Sequence, residues 1–308
     1  MKNQIFRYVG ILLFVILGIM LTILIYINFF KKEDNNYATL REKGEGEILY
    51  LNSTIIELLN KVNNISYNRY DVTMEQVNQS QQQANSNLDT NKNEDSKESS
   101  ETQTASTDTG SATEATNQSE SRTSKLSKTD SIINADYNNV PWDEISFGIE
   151  TLYTAWPTIN IDLKSLNVQE QDISNFSVTL DGVAKSIKNK DKSNTLINLY
   201  NLYAMLPKFL SYFIANDAKI NIYNTKAYIL NAYVLVEKDK WEDVNNSINQ
   251  AINSLNSTIN SDLLYDSEKI TFDKAHVLLQ ELQRGVELGD KEIFYLKYKL
   301  AMEQLEII

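Results

Sequence analysis

The chain has 308 residues, no cysteine, one histidine and a formal net charge of -12. Disulfides, thiol nucleophiles and cysteine-ligated zinc or iron–sulfur centres are therefore excluded. The acidic balance argues against a surface that neutralises nucleic-acid phosphates, and with only nine glycines and three prolines the chain suits long helices better than many short strands.

The first element is "YVGILLFVILGIMLTILIYINFF", residues 8–30, which carries no charge. As a helix it is roughly 34 Å long, enough for a hydrocarbon core of roughly 30 Å. A cleaved signal peptide would have a shorter apolar region and small residues at its end. Here the run closes on "IYINFFKK", so residues 1–32 read as a short tail and an uncleaved transmembrane signal-anchor. Lys2 and Arg7 before the run are balanced by Lys31, Lys32, Arg41 and Lys43 beyond it, so the positive-inside rule barely discriminates. The short tail before a long polar C-terminal part favours an extracytoplasmic C-terminal domain.

Residues 33–75 form the second unit. Ile48, Leu51, Ile55, Leu58, Val62 and Ile65 recur at spacings of three and four, which places them on one stripe of an amphipathic helix. Two and a half heptads fit either a helix that folds back onto the distal domain or a membrane-proximal seam through which two copies self-associate.

Residues 76–135 are rich in Ser, Thr, Asn and Gln. Between 76 and 130 there is no aromatic residue, and the seven apolar ones are Val77, Ala84, Leu88, Ala105, Ala112, Ala115 and Leu126. Such a segment buries too little surface to offset the entropy of ordering, so it is expected to be a disordered linker. With flexible-coil scaling its mean reach is about 40 Å. The expectation is a leash on which the folded domain searches the space above the membrane.

Helical stripes fill residues 136–308. Trp142, Ile145, Ile149, Leu152, Trp156 and Ile159 make the first, with Pro141 at its start and Pro157 expected to end or bend it. Ile173, Phe176, Leu180, Val183 and Ile187 make the second. Leu196, Leu199, Tyr203, Leu206, Leu210 and Phe213 make the third, with a kink predicted at Pro207. Ile222, Ile229, Ala232 and Val236 mark the fourth; Trp241, Val244, Ile248, Ala251 and Leu255 the fifth. Ala275, Leu278, Leu282 and Val286 mark the sixth, and Phe294, Tyr298, Ala301, Leu305 and Ile308 the seventh. No comparable stretch alternates with period two. The fold class is all-α: an N-terminal transmembrane helix, a disordered linker, and a C-terminal multi-helix up-and-down bundle or stack of antiparallel helical hairpins.

Asp-Lys pairs at Asp191, Asp239 and Asp290 lie between stripes, and each Asp is expected to cap the helix that follows, Asp239 forming a capping box with Glu242. The hairpins "ILNAYVLVEKDKWEDVNNSINQAINSL" and "VLLQELQRGVELGDKEIFYLKYKLAMEQL" resemble tetratricopeptide units in the small and aromatic residues around a short turn. The spacing departs from that family's 34 residues, and no peptide-binding residue is carried over.

Chemistry is scarce. His276 with Asp273 gives one D-x-x-H, where carboxylate-bridged di-metal bundles need two such helices. There is no nucleophile elbow, P-loop or dinucleotide fingerprint. The acids are expected on solvated helix faces, and the tyrosines of "NLYNLYAMLPKFLSYF" at the core edge with their hydroxyls in water. No catalytic, cofactor-binding or metal residue is assigned, and no cofactor or nucleic acid is expected. The function that fits is a membrane-anchored, extracytoplasmic, non-enzymatic interaction module that meets an envelope protein. The alternative is a tethered binding protein for a small ligand, metal or cell-wall polymer. Third comes a carboxylate-dependent hydrolase, whose mark would be acids buried inside the bundle.

Overall fold

The structure, a computed structural model, describes residue 20 and residues 37–66, 132–133, 135–259 and 266–308. Apart from residue 20, the apolar run 8–30 lies outside these residues. Of the linker expected over 76–135, residues 132, 133 and 135 are described, and Ile132 is buried in the core rather than part of a free segment. No helix among the described residues is long and apolar enough to cross a membrane.

Among the described residues there are helices and no strands, in keeping with the all-α expectation. Helix α1 covers residues 37–62. It is followed by α2 Trp142–Ser165, α3 Glu170–Lys188, α4 Lys192–Tyr203, α5 Leu206–Phe213, α6 Asp217–Val236, α7 Trp241–Ile259, α8 Asp266–Glu287 and α9 Lys291–Leu305. The stripes read from the sequence supply the core of the helices from α2 onward. Ile173, Phe176, Leu180, Val183 and Ile187, for example, are all at most 4% exposed. Trp142 and Trp241, at the starts of their helices, are only partly buried, and two positions further along fall off their stripes. In α8 Leu279 is fully buried while Leu278 is only partly so, and Ile308 lies beyond the last helical turn and is 37% exposed.

Pro141 stands at the N-terminal boundary of α2 as expected, and Pro157 does not end that helix. Helix α2 runs on for eight residues past Pro157, with Ile159 and Leu163 buried beyond it. The tertiary seat of that apolar face outweighs the one backbone hydrogen bond that proline removes. At Pro207 the chain does more than kink: it stops at Tyr203 and restarts as α5, with Pro207 in the tolerated first turn.

Three of the turns recur at nearly equal spacing. Lys190, Asp239 and Gly289 all have positive φ (53°, 54° and 63°), separated by 239 − 190 = 49 and 289 − 239 = 50 residues. At the first two, paired hydrogen bonds close the preceding helix: Asp191 N to Ser186 O with Lys190 N to Ile187 O, and Lys240 N to Leu235 O with Asp239 N to Val236 O. These are Schellman endings, in which the left-handed residue lets the chain reverse. Asp191 and Asp290 then cap α4 and α9, accepting from the backbone N–H of Asn194 and Ile293. Asp239 does not cap. It occupies the left-handed position one residue earlier in the turn, and its carboxylate faces Lys291 at 3.1 Å, so the expected box with Glu242 is absent.

Helix α1 organises the rest. Its stripe of Ile48, Leu51, Ile55, Leu58 and Val62, with Ile65 just beyond, is at most 5% exposed. Ile56 and Leu59, on another face, are at most 1% exposed. A helix apolar on more than one face is one enclosed by its neighbours. Helices α2, α4, α5, α6 and α9 all reach it, while α3 packs on α2 and α4, α7 on α6, and α8 on α7 and α9. The stripe that the sequence offered as a seam between copies is therefore covered by the chain's own helices. Two glycines allow the closest approach. A Cβ at Gly148 of α2 would come within 2.6 Å of Leu58, and one at Gly44 within 2.4 Å of Leu166.

Candidate functional site: the seat of the central helix

Along the inner side of the surrounding helices, polar residues of α1 meet polar groups, and these contacts set which part of the domain lies beside which part of α1. At the N-terminal end, Lys43 Nζ lies 2.8 Å from Asp162 Oδ2 of α2, and Lys219 Nζ of α6 lies 2.7 Å from Glu45. At mid-length, Tyr203 donates to Asn52 Oδ1 at 2.8 Å, and Asn52 Nδ2 lies 3.3 Å from each carboxylate oxygen of Glu306. Glu306 in turn accepts from Lys226 Nζ at 2.9 Å, with both side chains nearly buried. Further on, Tyr233 donates to the Leu59 carbonyl at 3.2 Å. At the C-terminal end, Asn63 Nδ2 donates to the Tyr295 hydroxyl at 3.3 Å, and that hydroxyl donates to Glu237, which Lys192 also approaches. The Tyr203 and Tyr233 hydroxyls are thus turned inward onto α1 rather than into water. Burial pushes both well above the ordinary phenol range, so they remain neutral donors.

Two acids depart from the solvated-face expectation: Glu306, paired with Lys226, and Glu47. Glu47 is fully buried, and neither of its carboxyl oxygens has a well-placed hydrogen-bond partner. Desolvation, followed by the adjacent Asp162 carboxyl, pushes its pKa up to about 9 against the opposing pull of Lys43. It is the neutral acid at pH 7. Glycosidic acid pairs stand about 5–9.5 Å apart and flank a sugar; Glu47 instead lies against Asp162 with no face open to solvent.

The remaining sequence candidates do not converge on α1. His276 lies on α8 beside Gln280, 2.9 Å away, and no group of three or more possible metal-binding side chains occurs among the described residues. Trp156 stacks on Phe176 in the core, and its indole N–H donates to Ser177. Sequence reading missed Glu47, Asn52, Asn60 and Asn63, all buried. The signal that could have found Asn52 was the charge-free run 48–56, where a solvated face would carry Lys and Glu; Glu47 follows Glu42 and Glu45 and has no such mark.

Fold and site together define an all-α bundle built around a polar-keyed central helix. Compared with known proteins, the chain matches no family model, no curated protein and no solved structure.

Proposed function

We propose that this chain is a membrane-anchored, non-enzymatic interaction module of the cell envelope whose folded domain sits directly at the membrane. The observation that carries the reading is the burial of α1 at the centre of the domain. Only residues 31–36 separate α1 from the apolar run, and six residues span at most about 20 Å. The pole at which α1 begins, next to Asp162, Lys164 and Lys219, then faces the bilayer. The pole at which it ends lies about 39 Å further out, the length of a 26-residue helix.

This changes the role proposed for the polar segment. Its two flanks meet at the outer pole: Asn64 Nδ2 lies 3.4 Å from the Asp136 carbonyl, and Ile65 and Ile132 share the core. A leash between membrane and domain would need α1 apart from the domain, whereas α1 lies at its centre. Instead the domain acts as a pedestal that lifts residues 67–131 away from the membrane and presents them to a partner.

The native chain lacks cysteine, so single-cysteine labelling tests the orientation cleanly. Donor dyes at Lys164→Cys and Lys240→Cys are compared in vesicles that carry a headgroup acceptor. Stronger energy transfer from position 164 is expected; equal transfer from both positions refutes the pedestal. In intact cells, a membrane-impermeant lysine crosslinker should react at Lys190 and Lys240, both exposed at the outer turns, and capture a reproducible protein. Reaction only after lysis would invert the orientation.

A further inference from the structure

We infer that residues 135–308 form a receptor for helix α1 whose grip does not depend on the covalent connection, so that a cut within residues 67–131 leaves the domain held by the anchor-bearing fragment. The inference deepens the pedestal reading by identifying what holds the domain in place, and it rests on the packing of α1.

Three observations carry it. First, the seat is extensive: Ile48, Leu51, Ile55, Ile56, Leu58, Leu59 and Val62 are at most 2% exposed. Such an apolar helix in a fitted groove is the general arrangement of helix-in-groove recognition. Second, the seat is specific in register. A slip by one turn would bring Ile48 or Ile56 to the place of Asn52, leaving the Tyr203 hydroxyl buried without its acceptor. The same slip would move Asn63 off Tyr295 and set the bulk of Leu58 against a residue other than Gly148. Third, the connection contributes little of its own. Its flanks already lie side by side at Asn64 and Asp136, so cutting it removes a loop-closure constraint and no packed contact among the described residues.

The helix that fits this seat is α1 itself, and it fills the inner face of the hairpin stack. A protein partner is left the outer surfaces and the polar segment. A segment of such polar composition in the envelope is open to proteases; a grip of this kind keeps the domain at the membrane after the segment has been nicked.

The test uses the full chain in mild detergent, with an N-terminal tag and a specific protease site inserted after Gly110. After complete cleavage, capture on the tag at nanomolar concentration is expected to retain the C-terminal fragment through extended washing. Loss of that fragment during washing overturns the inference. Leu58→Ala, which leaves a cavity against Gly148, supplies a second readout: after cleavage its fragment should dissociate about thirty-fold or more faster than wild type. Equal dissociation rates would mean that something other than the α1 seat holds the pieces together, and would also overturn it. Should Leu58→Ala lower the helicity of the uncut chain, Gly148→Ala, whose added methyl meets Leu58, replaces it with the same expected direction. Tag capture needs no bilayer. A failure of anchoring would show separately, as an uncut chain that does not float with vesicles.

Discussion

Replacing Glu47 by glutamine isolates one buried ionisable group. The folded protein holds the Glu47 proton up to about pH 9, whereas the ordinary value is 4.5. Between those values the unfolded chain has lost a proton that the folded chain keeps, so folding becomes less favourable as pH rises from about 4.5 towards 9. At pH 7 the gap to the ordinary value is 2.5 units, and at about 1.4 kcal/mol per unit this costs the wild type roughly 3 kcal/mol. In Glu47→Gln the amide keeps the shape and a donor towards Asp162 and has no proton to lose. Urea unfolding followed by tryptophan fluorescence at pH 5, 6, 7 and 8 measures the difference. Near pH 5 the two proteins should be within about 1 kcal/mol, and the variant should gain about 1.4 kcal/mol for each further pH unit. The remaining carboxylates titrate in both proteins and cancel from the difference. A wild-type curve parallel to that of the variant across this range would show that Glu47 is ionised in the fold, and the reasoning about its burial would fail.

Tyr203→Phe removes the donor to Asn52 and leaves a buried amide oxygen unpaired, which should cost about 1–3 kcal/mol in denaturant unfolding while far-UV circular dichroism is unchanged. Lys226→Met strands the buried Glu306 carboxylate and should cost about 3–5 kcal/mol. Adding Glu306→Leu should recover part of that loss, incompletely because Asn52 Nδ2 then has no acceptor, and a double-mutant cycle measures the coupling. At the turns, Lys190→Gly should stabilise by about 1 kcal/mol and Gly289→Ala destabilise by about as much, since both sites need a left-handed backbone; thermal unfolding reads both.

Most helices from α2 onward were legible because they lie with one side towards the core, and their apolar residues follow the 3.6-residue period. Helix α5 with its proline and α4 before it were legible as one interrupted stripe; where the chain would break was not, because Ala204 and Met205 carry no breaker signal of their own. Helix α1 was legible as a helix and misleading in its surroundings. A stripe of Ile48, Leu51, Ile55, Leu58 and Val62 opposite Asn52, Ser53, Asn60 and Asn63 reads as one buried and one wet face. In the fold the second face is also enclosed, because Tyr203, Tyr295 and Glu306, up to 254 residues distant in sequence, bring partners that those amides need. Binary patterning counts an amide as polar and therefore as exposed; whether a buried partner awaits it is settled by tertiary structure alone. The carboxyl pair was hidden for the same reason, since nothing near Glu47 in sequence marks it out from Glu45 or Glu42 beside it.

The buried amides also bear on why α1 is keyed so closely. An apolar helix alone would be held by hydrophobic burial that changes little when the helix slides by a turn. Asn52 between Tyr203 and Glu306, and Asn63 beneath Tyr295, turn such a slide into the loss of buried hydrogen bonds, each costing about 1–3 kcal/mol. If the domain is anchored as proposed, register sets its distance from the membrane, because a slip by one turn would move the fold along its anchor by about 5 Å. In the proposed arrangement the amide contacts would fix the height of the pedestal while the aliphatic residues supply its strength. Substituting Asn52 and Tyr203 together by leucine and phenylalanine should separate the two roles: stability measured in urea should change little, while energy transfer from position 164 to the headgroup acceptor should broaden as neighbouring registers become populated. An unchanged, narrow transfer distribution in that variant would assign the register to the apolar residues and to the close fit of Leu58 on Gly148 instead.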